Sequence, residues 1–179
     1  MFDQIVAPIA DQIQEFERRL DRALDSDVGK VQTMGRYLGK NRGKHFRPAL
    51  SLLAAQAVGE CSDTAIDAAV GIEILQTGTL IHDDVLDSAE FRRGAEGLHV
   101  KWGNHAAILM GDFLLVKAME VLVGLGSIEV MEASTSAIRR MIEGEILEDE
   151  KGGDAEVVGP EVRHASLGVR GGLDDDVIE

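Results

Sequence analysis

Three aspartates stand close together in the stretch LIHDDVLDSAEFRRG, residues 80–94. At 3.6 residues per turn, a helix here would place Asp83 and Asp87 on one face, with Asp84 beside them. Mg²⁺ prefers hard oxygen ligands and is often held by one or two carboxylates together with substrate phosphates. A solvated acidic surface would look similar, but TLIHDDVLD continues an apolar run that we expect to be buried. We therefore predict a Mg²⁺ site at Asp83, Asp84 and Asp87.

Cationic residues follow and precede these acids. Arg92, Arg93 and Gly94 come five residues after Asp87, and GKHFRP, residues 43–48, adds Lys44 and Arg47. The planar fork of arginine binds phosphate oxygens in pairs, and a glycine lets the backbone come close to a ligand. GKHFRP also leads into a predicted helix, whose free N–H groups favour an anion. A solvated basic turn is the alternative interpretation; together with a metal, these cations indicate bound phosphate esters.

The elements that must position these residues are helices. Apolar residues recur at steps of three and four, and after Gly126 the repeat runs through Ile128, Met131, Thr135, Ile138, Ile142 and Ile146. The pattern predicts helices at residues 2–24, 28–39, 48–57, 63–86, 99–123 and 127–150. No stretch alternates with period two between turns, so we predict no strand. The predicted fold class is all-α.

Composition agrees with a helical globular chain and excludes some classes of function. Hydrophobic residues make up 45% of the 179 residues and aromatic residues only 4%. The net charge is −14, which argues against nucleic acid as a partner. The single cysteine, Cys61, cannot form an internal disulfide. The amphipathic N-terminus is unlike a signal peptide, and the apolar run at 106–126 is interrupted by charges, so we expect a cytoplasmic chain without a transmembrane segment.

The character of the chain changes at Lys151. Glycine is dense from there to the end, and residues 141–179 carry a net charge of −9 against −5 for residues 1–140. Such a composition breaks helices. We expect one helical domain over residues 1–150 and a glycine-rich acidic tail over residues 151–179.

Taken together, four stretches resemble the trans-isoprenyl diphosphate synthases, or polyprenyl synthetases. They are GKHFRPAL, EILQTGTLIHDDVLDSAEFRRG, WGNHAAILMGDFLL and EGEILEDEK, in that order between about residues 30 and 151. The resemblance implies an isoprenoid-synthase-type helical bundle around a deep cavity. It also implies a Mg²⁺-dependent transfer of an allylic group to isopentenyl diphosphate.

The same resemblance assigns roles to residues of this chain. Mg²⁺ on Asp83, Asp84 and Asp87, helped by Arg92, would hold the allylic diphosphate as its carbon ionises. Lys44, Arg47, Gln76 and Arg93 are implied for isopentenyl diphosphate. The full set implied for substrate binding is Gly43, Lys44, Arg47, Gln76, Arg92 and Arg93. Gln76 stands where many members have histidine and some have glutamine. Thr79 and Gly78, four and five residues before Asp83, are small, which would permit a long product.

The resemblance weakens after Lys151. Members of the family continue for well over a hundred residues, with a second aspartate-rich motif, whereas 28 residues follow Lys151 here. LGVRGGLDDDVIE aligns with that motif and would place Asp175, Asp176 and Glu179 as a second metal set. Three interpretations stay open: the loss of an internal segment, a truncated chain whose tail matches by chance, or a sequence that is incomplete.

Several functions therefore stay open. A shortened prenyltransferase is the first, and a non-catalytic diphosphate-binding or regulatory subunit that partners a complete synthase is the second. A terpene cyclase would not need GKHFRP and RRG for a second diphosphate, and a purely structural helical protein would not need the aspartates. Half a helical cavity leaves apolar faces uncovered, so we expect a homodimer or a heteromer.

Overall fold

The computed structural model describes residues 2–150, and the predicted tail, including Asp175, Asp176 and Glu179, lies outside them. The chain divides into two units, the first ending at Ser127 and the second beginning at Ile128. The first unit contains seven helices and a short hairpin: α1 Phe2–Val6, α2 Ala10–Ala23, α3 Gly29–Lys40, α4 Phe46–Val58, α5 Asp63–Leu86, β1 Phe91–Arg92, β2 Ala95–Glu96, α6 Leu98–Trp102 and α7 Asn104–Gly124. The all-α fold class is confirmed.

Helix α5 is the central element of this unit. It packs against α7, α4, α2 and α6, and Ile66, Val70, Ile74 and Ile81 are among its buried residues. These residues lie four and seven apart, the spacing at which one helix face repeats. Ser62 caps the helix by accepting a hydrogen bond from the Ala65 amide at 3.3 Å. The predicted bounds of this helix, 63–86, are those observed.

Glycines bring α5 and α7 close together. A Cβ added at Gly78 would lie 3.1 Å from the carbonyl oxygen of Gly111, and one added at Gly71 would lie 2.8 Å from the Leu122 side chain. Gly78 is buried at this helix contact. Its small size therefore serves the packing of α5 against α7, and the effect of this position on product length stays a prediction.

A group of ion pairs fastens α2 to α5. Arg19 on α2 donates to Asp67 at 2.9 Å and also pairs with Asp63, both in the first turns of α5. It donates to Glu15 on its own helix at 2.8 Å. These hydrogen bonds raise the pKa of Arg19 and lower the pKa of Glu15. These contacts thereby fix the start of α5 against α2.

Two predicted helices are interrupted, and for simple backbone reasons. The helix predicted over 2–24 is broken by a 3₁₀ turn at Ala7–Ile9, where Pro8 cannot donate an N–H. The helix predicted over 99–123 is divided by Gly103, whose φ of +84° is outside the helical region. Both breaks lie outside the part of the chain that carries the acidic and basic motifs.

The prediction of no strand is wrong at residues 91–96. Phe91 pairs with Glu96 and Arg92 with Ala95 in an antiparallel hairpin. Its two central residues, Arg93 and Gly94, have φ of +54° and +79°, the signs that a type I′ turn requires. A Cβ at Gly94 would meet no atom within 4 Å, so Gly94 serves the turn and is not a point of close packing.

Helix α8, Ile128–Glu150, belongs to the second unit. It agrees with the helix predicted over 127–150. Within it, Arg139 and Glu143 form an i, i+4 ion pair at 2.7 Å, and the Thr135 hydroxyl donates to the Met131 carbonyl at 2.8 Å.

By length and composition, one described helix, α5, could cross a membrane. A central helix of a globular core passes the same test, and α5 packs against four other helices. It also carries Asp83 and Asp84 in its last turn. We interpret α5 as a core helix.

Candidate diphosphate and metal site

The three aspartates lie where α5 ends. Asp83 and Asp84 are in its last turn, and Asp87 is the C-terminal capping residue, whose amide donates to the Asp83 carbonyl at 2.8 Å. Ser88, with φ of +53°, then turns the chain out of the helix. The last turn contains no basic residue. Carboxylates are unfavourable at this negative end of a helix dipole, and a cation is favourable there.

Repulsion between the aspartates affects the pKa of Asp83. Burial and the neighbouring carboxylate of Asp87 raise the pKa of Asp83 above its ordinary value, against the opposing charge of Arg92. A bound divalent cation would relieve this repulsion. Within residues 2–150, however, no three His, Cys, Asp or Glu side chains are grouped as a ready-made metal site.

Asp84 is set apart from the other two aspartates by its partner. Its carboxylate is buried, and its Oδ1 accepts a hydrogen bond from Nε of Arg92 at 2.5 Å. Asp83 and Asp87, one turn apart, are the pair left to meet a cation, and one or two carboxylates are what Mg²⁺ commonly takes from a protein. The donor set therefore fits Mg²⁺ held jointly with phosphate oxygens.

The hairpin carries the two arginines to the end of α5. The Ala89 amide donates to the Asp84 carbonyl at 3.0 Å, and the Gly97 amide donates to the Glu90 carbonyl at 2.9 Å, which closes the hairpin at its base. On β2, the Glu96 carbonyl accepts a hydrogen bond from the Tyr37 hydroxyl at 2.9 Å. Arg92 and Arg93 are thus held on a short, doubly anchored element.

Gly43 and Arg93 lie in direct contact although they are far apart in sequence. A Cβ added at Gly43 would lie 2.7 Å from a terminal nitrogen of the Arg93 guanidinium. The lack of a side chain at Gly43 therefore lets Arg93 lie against the backbone of the GKHFRP loop. The two cationic motifs meet at this contact.

A cavity of about 100 Å³ joins the predicted residues. Arg47, Gln76, Asp84, Arg92 and Arg93 all line it. They come from α4, α5 and the hairpin, so the fold brings together three separate stretches of sequence. Lys44, Asp83 and Asp87 are not among its lining residues. Gln76 is half-buried, and its side-chain amide is 3.5 Å from the Thr79 hydroxyl.

Sequence reasoning missed several lining residues. Arg42 adds a fourth arginine to the wall and pairs with Asp21 at 2.6 Å, and Glu73 adds a carboxylate. Tyr37 and Asn41 from the α3 region line the same cavity. Arg42 stands one residue before GKHFRP, so an extended motif could have included it. Nothing in the sequence pattern singled out Tyr37 or Glu73.

The His82 side chain is directed towards α7. Its Nε2 lies 3.1 Å from the Ile108 carbonyl and 3.4 Å from Oδ1 of Asp112, both on α7. The ring sits over Gly111, where an added Cβ would lie 2.3 Å from Nε2. This agrees with a structural histidine that braces the end of α5.

The first unit is helical, with acids at the end of α5 and a cation-lined cavity beside them. The family model described as Polyprenyl synthetase matches residues 28–163. The chain belongs to this family.

Relatives and solved structures agree. The chain is 38% identical over 125 residues to octaprenyl diphosphate synthase of Escherichia coli, covering 70% of this chain and 39% of that protein. It is 31% identical over 138 residues to heptaprenyl diphosphate synthase component 2 of Geobacillus stearothermophilus, covering 77% of this chain and 43% of that one. The chain thus spans less than half the length of these relatives.

A solved structure matches the fold directly. It is a polyprenyl synthase from Caulobacter crescentus complexed with calcium and isoprenyl diphosphate, with a TM-score of 0.79 and 32% identity. The match covers 83% of this chain and 45% of that chain. The all-α isoprenoid-synthase fold predicted from the sequence is confirmed.

Proposed function

We propose that this chain supplies the diphosphate-binding half of a Mg²⁺-dependent prenyltransferase that joins an allylic diphosphate to isopentenyl diphosphate. The observation that carries the proposal is the cavity at which Arg47, Gln76, Arg92 and Arg93 converge beside Asp84. Family membership and the Caulobacter crescentus protein's complex with isoprenyl diphosphate support the same substrate class.

We assign the acidic and basic residues of the site separate roles in this reaction. Asp83 and Asp87 would hold Mg²⁺, which supplies Lewis-acid stabilisation of the leaving diphosphate when bound. Arg92 would share its charge between Asp84, which it already contacts, and the allylic diphosphate. Arg47, Arg93 and the side-chain amide of Gln76 would hold isopentenyl diphosphate, with Lys44 adding charge from the same loop and Gly43 letting Arg93 approach.

The positions of the charges suit a transfer between two diphosphates. The carboxylates stand at the end of α5, and the arginines and Gln76 line the cavity beside it. One diphosphate would therefore be held through the metal and the other through arginine. Thr79, half-buried and hydrogen-bonded to the Gln76 carbonyl at 3.0 Å, keeps a small side chain near the aspartates, and we propose that it leaves room for a growing chain.

A second candidate is a diphosphate-binding subunit that works beside a complete synthase. The described residues contain one set of aspartates, and the relative from Geobacillus stearothermophilus is named as a component of its enzyme. One set of carboxylates can bind a diphosphate. Ionisation of the allylic carbon also needs the diphosphate to be held in a precise position, and losing that position raises the activation barrier. A partner chain would then supply the facing residues.

The test is the incorporation of labelled isopentenyl diphosphate into an allylic primer by the purified chain with Mg²⁺, beside the Asp83→Asn/Asp87→Asn variant. Product that the double variant abolishes supports the prenyltransferase. No product, with Mg²⁺-dependent diphosphate binding that the double variant loses, supports the subunit. No product and no binding contradicts both proposals. Sedimentation of the same sample determines whether the chain forms a homodimer.

A further inference from the structure

His45, in the middle of GKHFRP, has an unusual environment. Its backbone φ is +50°, in the left-handed region, and its side chain is only 11% exposed. The ring packs edge-on against Phe16 of α2, with 5.2 Å between the ring centroids. Its Nδ1 is buried and has no hydrogen-bond partner. A buried polar atom without a partner is costly, so this position calls for an explanation.

Two carboxylates face the ring nitrogens from two different helices. Oε1 of Glu73 on α5 lies 3.8 Å from Nδ1, and Oε1 of Glu17 on α2 lies 3.8 Å from Nε2. These distances are too long for a hydrogen bond but within the range of an ion pair. A neutral ring gains little here, whereas an imidazolium attracts both carboxylates. The other charged groups of its own segment are Lys44 and Arg47.

Glu73 links this arrangement to the cavity. Its side chain is 13% exposed, and it lines the wall together with Arg47 and Gln76. A carboxylate at the wall of a diphosphate site repels its ligand, and the repulsion is strong because little water screens it. A positive charge next to the Glu73 carboxylate would cancel this repulsion, and the His45 ring is next to it.

We propose that His45 is a positioning residue for the diphosphate site, an inference that rests on the proposed function. His45 neutralises Glu73 and holds the GKHFRP loop between α2 and α5. Arg47, at the start of α4, then faces a cavity wall that stays attractive to a diphosphate. His45 itself does not contact the ligand in this arrangement. A packing role alone would not involve the charge of Glu73.

The test is a double-variant cycle on ligand binding without Mg²⁺, which leaves the aspartate site out of the measurement. Isopentenyl diphosphate and inorganic diphosphate are titrated by calorimetry at one fixed pH. The variants are His45→Asn, Glu73→Gln and both together. Asparagine tolerates the left-handed backbone, so this substitution removes the ring and leaves the turn feasible.

We expect His45→Asn to weaken binding about tenfold, because Glu73 is left uncompensated. Glu73→Gln alone should raise the affinity slightly, and the double variant should return to within about twofold of the unaltered chain. Rescue by Glu73→Gln is the result that packing alone does not give. Unchanged binding in His45→Asn, or a double variant as weak as His45→Asn, overturns the proposal.

Two further outcomes are separable. Binding of inorganic diphosphate with the expected cycle, but none of isopentenyl diphosphate, removes the proposed substrate and leaves the role of His45 standing. If neither ligand binds the unaltered chain without Mg²⁺, the proposed role of His45 falls, and the assay with Mg²⁺ decides the proposed function separately. If His45→Asn does not fold, Glu73→Gln alone still tests the proposal: it should raise the affinity because His45 is then left uncompensated, and a lower affinity overturns the proposal.

Discussion

Nε of Arg92 donates a hydrogen bond to Oδ1 of Asp84 over 2.5 Å, so the middle carboxylate of DDVLD is held by the hairpin. The Asp84 side chain is 8% exposed, whereas that of Arg92 is 39% exposed. The acid is therefore buried and depends on a partner that reaches it from solvent. This division leaves Asp83 and Asp87 as the carboxylates most available to a cation.

Replacing Arg92 with glutamine should destabilise the fold. The buried Asp84 carboxylate loses its charged partner, at a cost of about 1–2 kcal/mol, lowered by the partial exposure of the pair. Urea denaturation measures this cost. Asp84→Asn in the Arg92→Gln background should recover part of it. Arg18→Gln is the matched control, because Arg18 is 60% exposed and pairs with Glu15 at the surface. Equal losses in Arg92→Gln and Arg18→Gln would refute the dependence of Asp84 on Arg92.

Replacing Gly43 with alanine should lower diphosphate affinity with little loss of stability. The new Cβ would meet the Arg93 guanidinium at 2.7 Å, and the flexible end of that side chain can move away. We expect affinity to fall about three- to tenfold, since the proposed contact of Arg93 with the diphosphate would be disturbed. Gly39→Ala is the control, because its Cβ would lie at an ordinary 3.5 Å from Arg42. Calorimetry with isopentenyl diphosphate distinguishes the two variants, and equal affinities would contradict the Gly43–Arg93 contact.

Replacing Gly111 with alanine should destabilise the contact between α5 and α7. The added Cβ would lie 2.3 Å from Nε2 of His82 and would break its contact with the Ile108 carbonyl. Such overpacking costs about 1–3 kcal/mol. Because His82 precedes Asp83, Mg²⁺-dependent binding should weaken as well.

Gly124 offers the control on the same helix. A Cβ there meets no atom within 4 Å, so Gly124→Ala should be neutral or stabilise α7 by up to about 1 kcal/mol. Thermal unfolding of the two variants makes the comparison. A melting temperature of Gly111→Ala as high as that of Gly124→Ala would show that the His82 ring can move at no cost.

Replacing Asp83 with asparagine should separate metal binding from stability. Because burial and Asp87 raise the pKa of Asp83, its ionised form disfavours the fold, and the metal-free variant should be no less stable. The rise in melting temperature on adding Mg²⁺ with diphosphate should be lost. Asp11→Asn, on the exposed side of α2, should keep that rise.

The same shift predicts a dependence on pH. A raised pKa means that Asp83 favours the folded state at acidic pH and that this contribution is lost as the pH rises through the raised value. Mg²⁺ needs the ionised carboxylate, so its binding should weaken on acidification at a higher pH than for an ordinary aspartate. Mg²⁺ titrations at several pH values test this, and a midpoint at or below the ordinary aspartate value near 3.9 would contradict it.

Much of the fold could be predicted from the sequence because it follows from local periodicity. Helix α5 was predicted at its observed bounds, and α3 and α8 within one residue at each end. The hairpin was missed because two-residue strands are too short to show alternation. Its signal was the pair Arg93 and Gly94, where an arginine replaces the usual asparagine or aspartate of a type I′ turn.

The sequence by itself determined the chemistry of the candidate site: the carboxylates one turn apart at the end of α5, and the arginines that flank them on either side. These are local properties, since side-chain type and helical spacing are enough to specify them. Only the tertiary structure decided the pairing of Asp84 with Arg92, the contact of Arg93 with Gly43 and the placement of Glu73 beside His45. Those relationships depend on how α2, α4, α5 and the hairpin pack, because contacts between residues distant in sequence are set by the whole core and not by any one segment.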